Sequence, residues 1–264
     1  MEERRKVWKE KPLHGQYPKE MEQRTSTEHC FGWMKQVQLK IETEALLTAA
    51  QDQALSTKAH KALIMKTTKD ALCRMCKEKN ETVAHLLAGC SKLSLNEYLR
   101  RHNEVARLLH KNICDDFGIP TTKRYWMHEP TAVTETEDVK ILWDFEIQTD
   151  HRITARRPDI IVVDKKKKET LIIDVAVPED RNICDKEKEK ITKYQDFRLE
   201  IKKLWNTKAK VVPVVIGSLG AHTSKLNEYL HQIPGTHHLP SLVKAALLGS
   251  AHILRKVLDL PESW

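Results

Sequence analysis

Two aspartates on neighbouring predicted strands are the residues of this chain whose types and spacing best suit chemistry. Pro158–Val163 and Leu171–Val177 are apolar runs of strand length, and four lysines fall in the turn between them. If the hairpin is symmetric about this turn, Asp159 and Asp174 are directly opposed, with Cβ atoms roughly 4.5–5.5 Å apart. A divalent cation, a lysine or a raised pKa must offset their repulsion. Two carboxylates held on rigid strands are what a magnesium site for phosphodiester cleavage requires.

The surroundings of Asp174 suggest partners for its charge. The strand is apolar on both sides of this residue, which favours a buried central strand, and a buried carboxylate needs a partner. A charged helix predicted over roughly 185–205 could supply one, since Lys190, Lys193 and Tyr194 occupy adjoining positions of one face. A solvated face is the alternative for most of the lysines on this helix.

Two arginines and two further acids extend this constellation. Arg156 and Arg157 directly precede the first strand, where they could contact a phosphate backbone or pair with carboxylates. Glu146 and Asp150, on the strand predicted before them, could extend the metal shell. A simple polar outer face of that strand is the other explanation for the two acids.

A second constellation has the ligands and the spacing of a zinc site. Cys73, Cys76, His85 and Cys90 form the pattern C-x2-C-x8-H-x4-C. Zinc takes four tetrahedral ligands, and thiolate with imidazole is its usual structural set. The alternative is two structural cysteines near an unrelated histidine and cysteine. A zinc knuckle of this kind could contact nucleic acid, or it could act as a purely structural staple that supplies the folding free energy of a small segment.

The composition of the chain indicates which classes of partner it could bind. The chain has 264 residues and a formal charge of +8, a basic balance that suits a phosphate-bearing partner. No apolar run approaches the roughly 20 residues of a membrane helix, so no membrane partner is expected. The N-terminus lacks the apolar core of a secretory signal, and the six cysteines should therefore be reduced. Cys30, Cys114 and Cys184 are isolated in the sequence and are assigned no role.

The predicted elements divide the chain into a helical part and a strand-containing part. Residues 1–30 are polar and irregular, whereas 34 to about 65 and 92–111 favour helices. Residues 115–133 form a connecting segment rich in turn residues. A strand is predicted over Ile141–Thr149, before the hairpin, and a short apolar strand over 211–216, where Pro213 indicates an edge position or a bulge. Two helices close the chain near 223–232 and 240–258. The fold class predicted is α/β (α+β), with a helical zinc-knuckle region followed by a small mixed sheet flanked by helices.

Taken together, these motifs resemble the PD-(D/E)xK nuclease superfamily, the restriction-endonuclease fold. Ala176 stands two positions after Asp174, where a lysine is expected, and a lysine on the following helix is a recognised variant. That variant resembles the restriction-like endonuclease of site-specific non-LTR retrotransposons. In those polyproteins a CCHC knuckle precedes an Arg-Pro-Asp motif, a second acid and a later Lys-Tyr, which correspond here to Arg157–Asp159, Asp174 and Lys193-Tyr194.

The resemblance implies roles for these residues. Asp159 and Asp174 would bind magnesium, Lys193 would be the catalytic lysine with Lys190 as the alternative, and Tyr194 would belong to the same site. It also implies four segments: a helical linker region over 1–72, the zinc knuckle and a helix over 73–112, the restriction-like endonuclease domain over 113–220, and C-terminal helices over 221–264.

The expected activity is a metal-dependent DNA endonuclease that nicks one strand and leaves a 3′-hydroxyl. Its cofactors would be catalytic magnesium and structural zinc. DNA would be the partner, with RNA also conceivable at the knuckle, and the DNA substrate implies a nuclear location. A complete element carries a reverse transcriptase before the knuckle, and nothing in residues 1–72 resembles one. The chain thus looks like the C-terminal part of such a polyprotein. A non-catalytic nucleic-acid-binding module and an inert remnant are the alternatives.

Overall fold

The computed structural model describes residues 2–11, 13–149 and 153–260. Within these residues a five-stranded mixed sheet runs in the order β1-β2-β3-β4-β5, with helices packed on both of its faces. This arrangement confirms the α/β fold class. The strands are β1 (Val133–Glu135), β2 (Val139–Trp143), β3 (Ile160–Asp164), β4 (Glu169–Ala176) and β5 (Lys208–Val215).

The topology of the sheet follows from its connections. Strands β1 to β4 form an antiparallel meander, whereas β5 pairs with β4 in parallel after a helical crossover. Parallel neighbours need such a crossover because a tight turn can only reverse the chain. Strand β4 is therefore interior and almost wholly buried, as its apolar sequence predicts. Pro213 lies on the edge strand β5, where a residue without an N–H is tolerated.

Helices make up most of the remainder. They are α1 (Glu2–Lys9), α2 (Gln16–Met21), α3 (Thr27–Phe31), α4 (Trp33–Gln36), α5 (Ile41–Gln51), α6 (Lys58–His60, continued by a π turn over Lys61–Met65), α7 (Ser91–Leu93), α8 (Leu99–Asp116), α9 (Ile183–Lys193), α10 (Gln195–Leu204), α11 (Leu226–Leu230) and α12 (Leu239–Leu258). Further π turns span His85–Gly89 and Ser94–Tyr98, and short 3-10 turns span Tyr125–Met127 and Asp180–Asn182. Pro240 lies in the first turn of α12, as its fixed φ favours.

Each face of the sheet has its own apolar core. Tyr194, Phe197 and Ile201, at the α9–α10 junction and along α10, cover one face and pack with Ile161 and Ile172 of the hairpin. Alternation along the strands sends the neighbouring residues to the other face, where α8 and α12 complete a larger core. That core includes buried residues from the N-terminal helices, the Cys/His segment and the C-terminal helices, so all four predicted segments contribute to it.

The structure corrects the strand predicted over Ile141–Thr149. Strand β2 begins earlier and ends at Trp143, and Asp144 adopts a left-handed conformation with φ 46° that breaks the extended chain. Glu146 accordingly lies in an irregular segment instead of on a strand face. Asp150 lies outside the described residues. Strand β1, in the region predicted to be a connecting segment, is an additional element with only three residues.

The charged helix predicted over roughly 185–205 consists of two helices. Helix α9 ends at Lys193, and Tyr194 has φ −102° and ψ 12° before α10 begins at Gln195. The break places Tyr194, which is fully buried, beneath the helices and against the sheet. No helix in the described part of the chain is long and apolar enough to cross a membrane.

Replacing Phe197 with alanine should lower the free energy of unfolding by about 3–5 kcal/mol, because this ring is fully buried between α10 and the sheet. The matched control is Leu199→Ala on the same helix, since Leu199 is 47% exposed and its truncation should change stability by less than about 0.5 kcal/mol. Urea unfolding followed by circular dichroism measures both. Equal losses would contradict the assignment of this helix face.

Candidate active site and metal centre

The hairpin of β3 and β4 brings the two predicted aspartates together. Ile160 pairs with Ile173, so Asp159 and Asp174 are the next opposed positions of the same register. This is the symmetric pairing about the lysine turn that the sequence predicts. Asp174 is 2% exposed, whereas Asp159 lies at the strand entrance and keeps about a fifth of its side chain accessible.

Asp159 is held by two donors on its Oδ2 atom. His102 of helix α8 donates from Nε2 at 3.0 Å, and the backbone N–H of Val175 donates at 2.6 Å. The other carboxylate oxygen, Oδ1, makes no hydrogen bond within the described residues. The sequence does not indicate His102 as a site residue, because it lies 57 positions from Asp159.

Asp174 is contacted by residues of helix α9 and of its C-terminal end. The ammonium of Lys190 forms an ion pair with Asp174 Oδ2, and the hydroxyl of Tyr194 donates to Oδ1 at 2.7 Å. Lys193 is one contact further away, since its ammonium donates to the Tyr194 hydroxyl at 3.0 Å and is exposed. Of the two candidate lysines, the structure therefore brings Lys190 to the carboxylate directly.

The pKa values reflect these contacts. Burial and the charge of Asp159 raise the pKa of Asp174 above its ordinary value, and Lys190 only partly opposes them. Burial also acts to raise the pKa of Asp159, but the hydrogen bond and charge of His102 outweigh it, so that pKa is lowered. Burial lowers the pKa of His102, yet the hydrogen bond to Asp159 prevails and raises it to about 9. His102 is therefore an imidazolium at neutral pH.

The two arginines before the hairpin pair with carboxylates. Arg157 makes a bidentate contact with Asp144, with both nitrogen–oxygen distances at 2.7 Å, and Arg156 contacts Glu146 at 2.6 Å. Both pairs are at the surface, where solvent screening leaves such contacts little net energy. Glu146 is thus the ion-pair partner of Arg156. Both arginines lie at the surface, where a phosphate could replace their present partners.

An open cleft of about 620 Å³ gives access to this site. Asp159, His102 and Lys190 line it together with Arg101, whereas Asp174 lies behind them. A carboxylate, an imidazolium and an ammonium at the wall of one cleft can bind a hard cation and an anionic ligand side by side. Ala176 also lines the cleft, so the absence of a lysine at that position leaves the space open.

The four predicted zinc ligands converge. The Sγ atoms of Cys73 and Cys90 lie 3.9 Å apart, and Cys76 Sγ lies 3.3 Å from His85 Nε2. Ligand atoms of a tetrahedral zinc ion are separated by roughly 3.3–3.8 Å, given zinc–ligand bonds of about 2.0–2.3 Å. All four side chains are buried, and this cluster could hold a metal such as zinc. Burial raises the pKa of Cys90 to about 12, and a bound metal would offset that penalty on the thiolate.

Local turns explain why the knuckle takes this shape. The backbone N–H groups of Met75 and Glu78 point at the sulfurs of Cys73 and Cys76, with N···S distances of 3.4 and 3.5 Å. A buried ion pair between Arg74 and Glu81, at 2.8 Å, closes the loop that follows the first two cysteines. These contacts orient the ligands before any metal binds.

One buried arginine connects the knuckle to the cleft. Arg101 of α8 donates to the carbonyl of Leu87 at 2.7 Å, to that of Val177 at 3.0 Å, and to the hydroxyl of Ser250 at 3.0 Å. These acceptors belong to the knuckle turn, the segment after β4, and α12. Gly249 makes room for this side chain, because a Cβ there would lie 2.5 Å from Arg101 Cγ. Helix α8 is therefore fixed where His102 meets Asp159.

No protein-family model matches this chain, and no curated protein matches its sequence. The site's own geometry must therefore carry any assignment of function.

In magnesium-free buffer, the stability that the His102–Asp159 pair supplies should depend on pH. The folded-state pKa of His102, about 9, exceeds the ordinary 6.5 of an unfolded chain, so folding takes up a proton between these values. The contribution is fully present below about pH 6.5 and is lost as the pH rises through about 9. Urea midpoints between pH 6 and 9 should converge for wild type and His102→Gln as the pH rises. A difference in urea midpoint that stays constant with pH would contradict this prediction. His231→Gln, at an exposed position, is the control.

Removing one thiolate of the knuckle should release one zinc ion per chain. We expect Cys76→Ser protein, purified without chelator, to contain one equivalent less zinc than the wild type and to melt at a lower temperature, since metal binding supplies folding free energy there. Elemental analysis and thermal unfolding measure the two effects. Cys184→Ser is the matched control because Cys184 lies outside the knuckle. Unchanged zinc content in Cys76→Ser would rule out the knuckle as a zinc site.

Proposed function

We propose that this chain is a magnesium-dependent DNA endonuclease of the restriction-like type, derived from a non-LTR retrotransposon polyprotein, which nicks one strand and leaves a 3′-hydroxyl. One observation carries the proposal: Asp159 and Asp174 are opposed on a rigid hairpin, and Lys190 contacts Asp174 at the wall of an open cleft. The resemblance to the PD-(D/E)xK pattern, with its lysine on the following helix, agrees with this geometry.

The residues present fit a magnesium ion. Two carboxylates at opposed positions supply the oxygen ligands that this cation prefers, and Asp159 Oδ1 is free of hydrogen bonds within the described residues. Burial and the charge of Asp159 raise the pKa of Asp174, and a bound cation would oppose both effects. Asp159 and Asp174 would hold the ion, which would lower the pKa of bound water and offset charge on the phosphate.

The remaining residues each have a separate task. Lys190 is placed to transfer its hydrogen bond from Asp174 to a phosphate oxygen, where its charge favours the pentavalent state. Tyr194, hydrogen-bonded to Asp174 Oδ1, fixes the orientation of that carboxylate. His102 holds Asp159 in its ionised form. Lys193 acts through Tyr194 and has a positioning role in this scheme.

DNA would be held mainly by phosphate contacts. The net charge of +8 favours a polyanionic partner, and Arg156 and Arg157 lie at the surface beside the entrance to β3. The zinc knuckle is connected to the cleft through Arg101 and would add a second contact to nucleic acid. Such binding would weaken as the salt concentration rises. A DNA substrate also implies that the protein acts in the nucleus.

A second candidate function is a nucleic-acid-binding module that does not cut. It is favoured by the fact that both carboxylates already have cationic partners, His102 for Asp159 and Lys190 for Asp174. In that case the hairpin charges serve stability alone, while the basic surface and the knuckle hold the nucleic acid.

A nicking assay on supercoiled plasmid with magnesium tests the proposal. We expect Asp174→Ala to abolish nicking and Lys190→Ala to slow it by about 100-fold or more, as for loss of a charge that acts on the reacting phosphate. Lys193→Ala should slow it less than Lys190→Ala, because Lys193 reaches Asp174 only through Tyr194. The matched control is Lys188→Ala, an exposed lysine on the same helix, which should leave the rate unchanged.

Filter binding of the same DNA separates the two candidate functions. Wild-type protein that binds DNA without nicking it, with binding unaltered by Asp174→Ala, would reject the endonuclease and retain the binding module. Equal effects of Lys190→Ala and Lys188→Ala on nicking would reject the assignment of Lys190.

A further inference from the structure

A second buried group of potential metal ligands lies at the far end of helix α8. His110 and Cys114 are four residues apart on this helix, and His128 comes from the segment that leads to β1. His110 Nδ1 lies 2.8 Å from His128 Nε2 and 3.5 Å from Cys114 Sγ. All three side chains are buried, and none of them belongs to the knuckle or to the cleft.

The fold explains how these three side chains meet. Positions i and i+4 of a helix share one face, which aligns His110 with Cys114. The chain leaves α8, turns near Gly118 and returns through a 3-10 turn that ends at Met127, next to His128. The ring of Trp143 at the end of β2 packs edge to face with His110, with ring centroids 5.5 Å apart. The group is thus enclosed between α8, the returning segment and the sheet.

The composition of this group is unusual for a buried hydrogen-bond network. The group itself contains no carboxylate, and Nδ1 of His110 is the nitrogen that faces both His128 and Cys114. The carboxylates of Asp115 and Glu129 interact electrostatically with His128 from outside the group. Neutral imidazole and cysteine sulfur are the ligand types that zinc selects.

We propose that His110, Cys114 and His128 form a second zinc site, in addition to the Cys73 knuckle. Two imidazole nitrogens and one thiolate would occupy three positions of a tetrahedron, and a water or an external ligand would take the fourth. The S···N distance of 3.5 Å already suits zinc, whereas the N···N distance of 2.8 Å must widen by roughly half an ångström. A small rotation of the His128 side chain would widen this distance, because His128 lies in a loop and not in a helix or strand.

The site would join two parts of the structure that the chain connects only through the segment 117–132. That segment has few regular elements, and its one 3-10 turn carries the exposed residues Trp126 and Met127. A metal bridge from α8 to His128 would fix the path of this segment into β1, at the edge of the sheet. Its role would be structural, since all three ligands are buried.

Zinc content per chain tests the proposal. Wild-type protein prepared with zinc and without chelator should contain two equivalents, and Cys114→Ala and His128→Ala should each contain one. Cys184→Ser and His231→Ala are matched controls outside both clusters and should keep two. If the wild type and Cys114→Ala both contained one equivalent of zinc, these three residues would form a hydrogen-bonded group without a metal. That result would overturn the proposal.

Cobalt substitution tests the second site in wild-type protein, so its result does not depend on whether a variant folds. A second equivalent of Co²⁺ should bind with tetrahedral d–d bands, and its thiolate-to-cobalt absorption should be about one third of that from the three-thiolate knuckle. Cys76→Ser, which damages the knuckle, should retain the weaker one-thiolate spectrum. Uptake of a single cobalt ion by wild-type protein would overturn the second site whatever the variants do.

Discussion

The burial of two like charges at opposed positions of one hairpin is the constraint around which this structure is organised. Asp159 and Asp174 cannot be neutralised by β3 and β4, because neither strand carries a cationic residue. Their counter-charges come from outside the sheet, from His102 of α8 and Lys190 of α9. Both helices must therefore dock at a fixed position along the strands, and the cleft is the space left between them.

Much of this arrangement can be predicted from the sequence. The turn of four lysines sets the centre of the hairpin, and the apolar pattern on either side sets the register, so the opposition of Asp159 and Asp174 follows from counting. The interior place of β4 and the edge place of Pro213 follow from the same kind of evidence. The zinc ligands are local in sequence, within eighteen residues, and their spacing alone indicates their convergence. Short-range patterns were sufficient for all of these features.

The features that the sequence did not reveal depend on distant packing or on single backbone angles. His102 is one of many polar residues on α8 until the sheet brings Asp159 against it, 57 positions later. The end of β2 is decided by the left-handed conformation of Asp144, for which nothing in the neighbouring residues provides a clear signal. The helix break at Tyr194 depends on the burial of one hydroxyl against Asp174. Likewise Cys114 looks isolated in the sequence, since its two histidine neighbours are contributed by a helix turn and by a separate loop.

Arg101 has a consequence for how this protein could be divided or shortened. The resemblance places a boundary between 112 and 113, with the knuckle on one side and the nuclease-like sheet on the other. His102 lies before that boundary and Asp159 lies after it, and Arg101 connects Leu87 to Val177 across it. A fragment that starts at 113 would lose the imidazolium and expose the carboxylate pair to its own repulsion. The smallest fragment that keeps each carboxylate with its counter-charge therefore includes α8 and, through the contacts of Arg101, the knuckle. An exchange of the sheet alone would separate Asp159 from His102.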